Sequence, residues 1–343
     1  MTDEFPHVGA LKSYLSGHIE QFDGPVSVQP LRGGQSNPTF ILNTSARKYI
    51  LRTKPPGELL KSAHAVDREF RVLRALESSG VPVPRAFVLC RDEAIIGTWF
   101  YVMDFIDGRV FNDPALPNIE REQRARCFDS MNHVLATLHT LDVTNLGLGD
   151  YGKPQGYVER QMARWRGQYQ ANRATAGEVA EIERLGDWPD ANRPPQAPGA
   201  VLVHGDYRLD NLIFHPHEPR VVAVLDWELS TIGDRAADFA YHLLMYRMPS
   251  LAFPGLLGND PRRLGLPTEG EYVAAYCARI GQRSIEHLDF YIAFCLFRLA
   301  SIFHGIRARL KRGTAADPGA ASYARHVEAI AELGWSVAST GAP

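Results

Sequence analysis

The feature that most constrains this chain of 343 residues is a polar loop set between two apolar runs. Val201-Leu-Val leads into His204-Gly-Asp206-Tyr-Arg-Leu-Asp-Asn211, and Leu-Ile-Phe214 leaves it. A further short run, Val221-Val-Ala-Val-Leu, then ends on Asp226. Short apolar runs bounded by turn-forming residues read as buried strands. A single Asp at such a strand end is ordinarily a cap or an Asx-turn. Asp206, Asn211 and Asp226 at these offsets from successive apolar runs are poorly explained as three independent caps.

The rest of the chain sets this loop in an α+β frame. Apolar positions Val8, Leu11, Leu15 and Ile19 predict a leading helix over 8–21. Strand patterns follow at Val26–Leu31, Thr39–Asn43 and Tyr49–Thr53, then a helix over Ser62–Ser79 with Val66, Phe70, Leu73 and Leu76 on one face. Two more strand patterns cover Ala86–Cys90 and Thr98–Asp104. After Ile106-Asp107-Gly108 the pattern turns helical, at 119–141, 155–174 and from Asp234 onward, with a Pro-rich connector at Asn192–Pro198. Strands with one helix, then a larger helical portion, predict two lobes: 1–104, small and β-rich, and 105–343, mostly helical.

Composition narrows the function classes. The formal net charge of −2 supplies no bulk attraction to nucleic acid or to an anionic membrane, so neither is expected as a partner. The four cysteines are scattered, with no CxxC pair, and read as reduced thiols. The first residues lack a secretory-signal pattern, and no uninterrupted apolar run is long enough to span a bilayer. These features predict a soluble, cytoplasmic protein.

Asp206 and Asn211 have the spacing of the kinase catalytic loop H-x-D-x-x-x-x-N. Phosphoryl transfer needs a carboxylate to orient the attacking hydroxyl and accept its proton. It also needs oxygen ligands that hold Mg²⁺ without repelling the phosphates. With Gly205 where protein kinases carry Arg, the segment resembles the aminoglycoside phosphotransferase and choline kinase superfamily. The run Leu225-Asp226-Trp-Glu228-Leu-Ser-Thr-Ile-Gly-Asp234-Arg-Ala-Ala-Asp238 most resembles the kinase-like domains fused to some acyl-CoA dehydrogenases. Phe297-Arg-Leu-Ala-Ser-Ile-Phe-His-Gly-Ile306 fits the same subgroup. The resemblance implies a protein-kinase-like fold that uses ATP and Mg²⁺. It makes Asp206 the catalytic base, makes Asn211 and Asp226 the metal ligands, and gives His204 the task of bracing the loop. Asp234 and Asp238 are expected to cap and anchor the helix that follows, and Glu228 to solvate a loop.

The N-terminal part supplies matching components. Gly33, Gly34, Gln35, Ser36 and Asn37 lie between two strand patterns, where a hairpin could present backbone N–H groups to phosphates. Arg52 stands where kinases usually place a strand Lys, and its fork can pair phosphate oxygens. Lys54 lies on the same strand face and is the alternative. The family pattern aligns Glu69 as the carboxylate that positions the cation. The backbone of Asp104, Phe105 and Ile106 matches the segment that meets the adenine edge.

The acceptor is expected to be a small molecule with a hydroxyl group, bound by the helices after Asp234. Arg298, His304, Arg307, Arg309, Lys311 and Arg312 favour an anionic acceptor over a polycation, although cations at a helix end also complement its dipole. The subgroup resemblance points the same way, to a hydroxy acid or hydroxyacyl-CoA. Two alternatives stand beside it: a kinase of aminoglycosides or other antibiotics, and a nucleotide-binding regulator without turnover. Such a regulator would ordinarily have lost the base or a metal ligand, and this chain keeps all three.

Overall fold

The computed structural model describes residues 5, 7–31, 37–55, 66–195, 199–250, 255–315 and 318–340. In chain order its elements begin with α1 (Val8–Ser16), β1 (Ser27–Pro30), β2 (Thr39–Asn43), β3 (Lys48–Thr53) and α2 (Val66–Leu76). Next come β4 (Ala86–Cys90), α3 (Glu93–Ile96), β5 (Phe100–Asp104), α4 (Arg121–Thr140), α5 (Tyr157–Ala176) and α6 (Ala180–Asn192). The strands β6 (Val201–Val203), β7 (Leu212–Phe214), β8 (Val221–Val224) and β9 (Thr231–Gly233) lead to α7 (Arg235–Arg247) and α8 (Pro261–Leu264). The chain ends with α9 (Glu269–Arg279), α10 (Leu288–Lys311), α11 (Ala320–Arg325) and α12 (Val327–Thr340).

These elements form two compact units that are discontinuous in sequence. The first comprises residues 1–109, 212–217 and 221–229; the second comprises 110–211, 218–220 and 230–343. The first unit therefore also holds β7, β8 and Asp226, which a division at 104 leaves with the second lobe. The reason lies in the backbone hydrogen bonds. Arg109 and Phe214 exchange both of theirs at 2.8 Å, and Val224 N–H donates to the Pro82 carbonyl at 2.9 Å.

The first unit is built on an antiparallel sheet in the order β1-β2-β3-β5-β4. One face carries Leu42, Tyr49, Leu51, Phe100 and Val102 and packs on Leu11 and Leu15 of α1. The other face carries Arg52 and Tyr101, which are cross-strand partners. Because both faces are covered, β3 and β5 read as nearly unbroken apolar runs instead of a clean alternation. The leading helix stops at Ser16, short of the predicted 21, because Gly17 ends it; Ile19 and Phe22 are still buried from the turns beyond. The predicted Ser62–Ser79 helix appears as α2, and residues 62–65 lie outside the described residues.

In the second unit α10 is the central helix, packed by α5, α6, α7, α11 and α12. By length and composition α10 could cross a membrane although charged residues interrupt its apolar run, but 83% of its most apolar window is buried inside the protein. The pattern also missed α6, since it buries only Ile182, Leu185, Gly186 and Pro189, two of them poor helix formers. Gly334 of α12 lets that helix approach, for a Cβ there would lie 2.8 Å from Leu185 and 3.0 Å from Leu296. Strand β9 is three residues long and pairs antiparallel with β6. All four cysteines are buried free thiols.

Gly108 governs how the β7–β8 hairpin seats. A Cβ at this position would stand 2.3 Å from the Phe214 carbonyl oxygen and 2.4 Å from Ile213 Cγ2. Gly108→Ala is expected to lower unfolding stability by about 1–3 kcal/mol, as overpacking against backbone does. Urea denaturation checks this, and an unchanged midpoint would contradict it.

Candidate active site

The catalytic-loop segment is held from inside the second unit. Strand β6 is wholly buried and runs into His204 and Gly205. Gly205 has φ +80°, a left-handed conformation that glycine adopts without steric cost, and it turns the chain sharply before Asp206. The fully buried Asp238 of α7 accepts the His204 N–H at 2.7 Å, the Gly205 N–H at 2.8 Å and His139 Nε2 at 3.1 Å. Tyr276 in turn meets His139 Nδ1 at 2.5 Å. Burial alone would raise the Asp238 carboxyl, but the His139 hydrogen bond and the neighbouring imidazoles and N–H groups bring it below its ordinary value. Asp238 thus anchors the loop and not simply its own helix. Asp234 does cap α7, accepting the Ala236 N–H at 2.8 Å. His204 braces the loop as expected: it is buried, and its Nδ1 accepts the Asp206 N–H at 3.2 Å.

The Asp206 carboxylate is gripped from several sides. Arg208 Nε lies 3.1 Å from Oδ1, and Asn211 Nδ2 donates to Oδ2 at 3.2 Å and to the Asp206 carbonyl at 2.9 Å. Burial pushes the group up, yet the charges of Arg208 and Arg298 and the nearby Tyr241 hydroxyl hold it below its ordinary value, so it is ionised at neutral pH. With Nδ2 engaged by Asp206, Asn211 Oδ1 has no protein partner among the described residues. A neutral oxygen left over in this way suits a hard cation.

In the first unit the polar centre is Arg52. Its Nε pairs with Glu69 Oε2 at 3.0 Å, and its Nη2 lies 2.5 Å from Asp226 Oδ1 and 3.8 Å from Glu228 Oε2. Lys54 on the same strand instead lies over the Trp99 ring at 5.6 Å, so Arg52 is the cation that Glu69 positions. Asn37 is turned inward and donates to Glu69 Oε1 at 2.7 Å, and the Tyr101 hydroxyl donates to Oε2 at 3.0 Å. The Asn37 side chain is thus a partner of Glu69, whereas the expectation for this turn concerns its backbone N–H groups. Gly33, Gly34, Gln35 and Ser36 lie outside the described residues. Tyr101 escaped the sequence reading, though its cross-strand register with Arg52 was the available signal. Glu228, read from sequence as a loop residue, joins the carboxylates around Arg52. Burial pushes Glu69 up to about 7 against the pull of Arg52, because Asp226 and Glu228 crowd the same cation.

Asp226 has φ +63°, a strained conformation for a residue with a side chain, though Asp tolerates it better than most. The turn Trp227–Leu229 follows, fixed by the buried Trp227 indole donating to the Val224 carbonyl at 3.0 Å. Asp226 Oδ2 has no hydrogen-bond partner among the described residues. That oxygen is a hard donor of the kind that divalent cations such as Mg²⁺ prefer. Among the described residues no group of three His, Cys, Asp or Glu side chains is arranged to hold a metal alone.

In the segment expected to meet a base edge, the Asp104 N–H is engaged by the Arg85 carbonyl at 2.9 Å, and its carboxylate lies 3.5 Å from Arg47. Most of the basic residues singled out on α10 and just after it are likewise engaged within the protein, whereas Arg309 is exposed and has no side-chain partner among the described residues. Arg307 binds the Ala324 carbonyl and Glu328, His304 meets the Gly177 carbonyl, Lys311 donates to the Ala176 carbonyl, and Arg312 donates to Asn172 and Thr175. They tie α10 to its neighbours and do not gather into a pocket for an anion. A cavity of about 240 Å³ lies elsewhere in the second unit, beside the loop. Leu244, Met245, Met248 and Leu299 form its apolar wall, and Arg208, Asp210 and Tyr241 its polar one. Arg208 and Asp210 are paired with each other at 3.0 Å.

Comparison with known proteins fits this geometry. The model of the phosphotransferase enzyme family (APH) matches residues 27–277. A crystal structure from Ralstonia eutropha JMP134, provisionally described as an aminoglycoside phosphotransferase, is 42% identical; the match covers 98% of each chain, with a TM-score of 0.89. Acyl-CoA dehydrogenase family member 10 of Mus musculus is 43% identical over 334 residues, 96% of this chain. The chain spans 31% of that relative's length. Aminoglycoside phosphotransferase APH(4)-Ia, in a ternary complex with AMP-PNP and hygromycin B, shares the fold at 18% identity and TM-score 0.57, over 95% of this chain and 99% of that one.

The Glu69 environment predicts a pH signature. Its folded value of about 7 lies above the 4.5 of an unfolded Glu, so its contribution to stability is fully present below about pH 4.5 and is lost as pH rises through 7. Glu69→Gln removes that dependence. The wild-type chain should lose about 3 kcal/mol relative to Glu69→Gln between pH 5 and pH 8. Urea titrations of both at each pH measure the difference, and parallel profiles would contradict the assignment.

Proposed function

The chain belongs to the phosphotransferase enzyme family, kinases of small molecules, and from that premise we propose that it transfers the γ-phosphoryl group of ATP, with Mg²⁺, to a hydroxyl on a largely apolar small molecule. Hydroxy acids and hydroxyacyl-CoA thioesters are the acceptor class in view. The single observation that carries the reading is the shared wall between loop and cavity. Arg208, whose Nε lies 3.1 Å from the Asp206 carboxylate, and the neighbouring Tyr241 also line the cavity that Leu244, Met245, Met248 and Leu299 make apolar. A hydroxyl on an aliphatic chain matches such a wall. A polycation does not, since the one lining carboxylate, Asp210, is already paired with Arg208.

In this reading Asp206 accepts a hydrogen bond from the acceptor hydroxyl, aligns its oxygen for attack and takes up its proton as the bond to phosphorus forms. Arg208 and Tyr241 keep the carboxylate ionised and aimed. Asn211 and Asp226 are the proposed ligands of Mg²⁺, which when bound offsets charge on the phosphate oxygens. Arg52, held by Glu69, would offer its fork to phosphate oxygens. Phe105 and Ile106 offer backbone groups to the base. An antibiotic kinase is the second reading, favoured by the 42%-identical neighbour; the acceptor screen below separates the two.

A mass-spectrometric screen with Mg·ATP should yield phosphorylated products from hydroxy acids or hydroxyacyl-CoA thioesters and none from aminoglycosides or macrolides. Transfer to the antibiotics alone would reverse the assignment. Asp206→Asn should lower turnover by about 10²–10⁴-fold, the usual worth of a general base, while nucleotide affinity by calorimetry stays within about 3-fold. Undiminished turnover would remove Asp206 from the mechanism. Asp226→Ala should weaken Mg·ATP binding at least about 10-fold, as loss of a metal ligand does; calorimetry with and without Mg²⁺ reads it, and unchanged metal dependence would contradict the ligand role.

A further inference from the structure

Arg298 stands in the middle of α10, the most apolar helix of the chain, and is only 6% exposed. No carboxylate lies within ion-pair distance of it among the described residues, and its buried Nε has no hydrogen-bond partner. Burying a guanidinium without a paired anion is costly, and a Leu or Met would pack α10 at less expense. What the guanidinium does touch is the approach to Asp206. Its Nη2 donates to the Gly205 carbonyl at 2.6 Å, and its face lies over the Tyr241 ring at 4.5 Å and the Trp165 ring at 5.7 Å.

We propose that Arg298 is a positioning residue for Asp206, fixing its backbone through the Gly205 carbonyl. The inference rests on the reading of Asp206 as the base. The peptide unit on either side of Gly205 is pinned at both ends: Asp238 takes the Gly205 N–H at 2.8 Å and Arg298 takes the carbonyl that immediately precedes Asp206. Gly205, at φ +80°, has no side chain to restrict rotation, so these two bonds set the direction in which Asp206 leaves the turn. Tyr241, stacked beneath the guanidinium, holds its plane in place. Moving Arg298 therefore moves the backbone from which Asp206 leaves the turn. Lys cannot reproduce this arrangement, because a point charge lacks the planar face that stacks on Tyr241.

Two variants, Arg298→Lys and Arg298→Met, test the inference, each made also in an Asp206→Asn background. ADP release from Mg·ATP, with the acceptor found in the screen, gives kcat and KM. Each variant should lower kcat about 100-fold, the effect of an ångström-scale misplacement, with KM for nucleotide within about 2-fold. In the Asp206→Asn background the same substitutions should change the residual rate less than about 2-fold, since the group they position is gone. Equal losses in both backgrounds, or wild-type kcat in Arg298→Lys, would overturn the proposal. Hydrogen exchange gives a readout independent of turnover. Peptides covering 203–208 should exchange at least about 10-fold faster in Arg298→Lys while those of α7 do not, which marks a local opening. Unchanged exchange in 203–208 would overturn the inference even if Met fails to fold. Absence of phosphoryl transfer in the wild-type protein would count against the proposed function, and the exchange result would then decide this inference alone.

Discussion

A buried carboxylate organises the site. Asp238 has no solvent to stabilise its charge, so it draws in every donor within reach: two consecutive backbone N–H groups of the loop and an imidazole from α4. Two charge-assisted bonds to adjacent peptide groups fix the orientation of the chain, which one bond could not do. The loop can then carry a sharp left-handed turn at Gly205 and present Asp206 on the far side of it. Removing either His139 or Tyr276 would leave a buried polar group short of a partner, so the network holds as a set.

The first unit solves a different electrostatic problem. Three carboxylates, Glu69, Asp226 and Glu228, gather around one cation, and the strand position carries Arg where kinases usually place Lys. An ammonium is a single compact charge, whereas the guanidinium fork reaches Glu69 through Nε and Asp226 through Nη2 at once. Negative charge still exceeds positive in this cluster, which adds to burial in raising Glu69.

Much of this was legible in the chain itself. Strands β2, β4 and β6 fall where the apolar pattern puts them, and the roles of Asp234 and His204 follow from local chemistry, since caps and loop braces depend on nearby residues. The Arg52–Glu69 pair also emerged, through family likeness. What escaped depends on tertiary context. Helix α6 has too few apolar residues to show a period, and β9 is too short to show one. The cations of α10 look like an anion site in sequence because spacing cannot reveal that carbonyls of α5 and the loop after it, and Glu328 of α12, already engage them. Arg298 differs from the rest of that group in its burial against Gly205 and Tyr241.

The central claim is that this protein moves a phosphoryl group from nucleotide to a hydroxyl. Phosphorus-31 NMR of the wild-type protein incubated with ATP and the acceptor tests it most directly, because it distinguishes a phosphomonoester from inorganic phosphate. The account predicts a new phosphomonoester resonance, one for each ADP formed, that vanishes when Mg²⁺ is withheld. ADP accompanied by inorganic phosphate alone, or ATP left intact across the acceptor series, would contradict it.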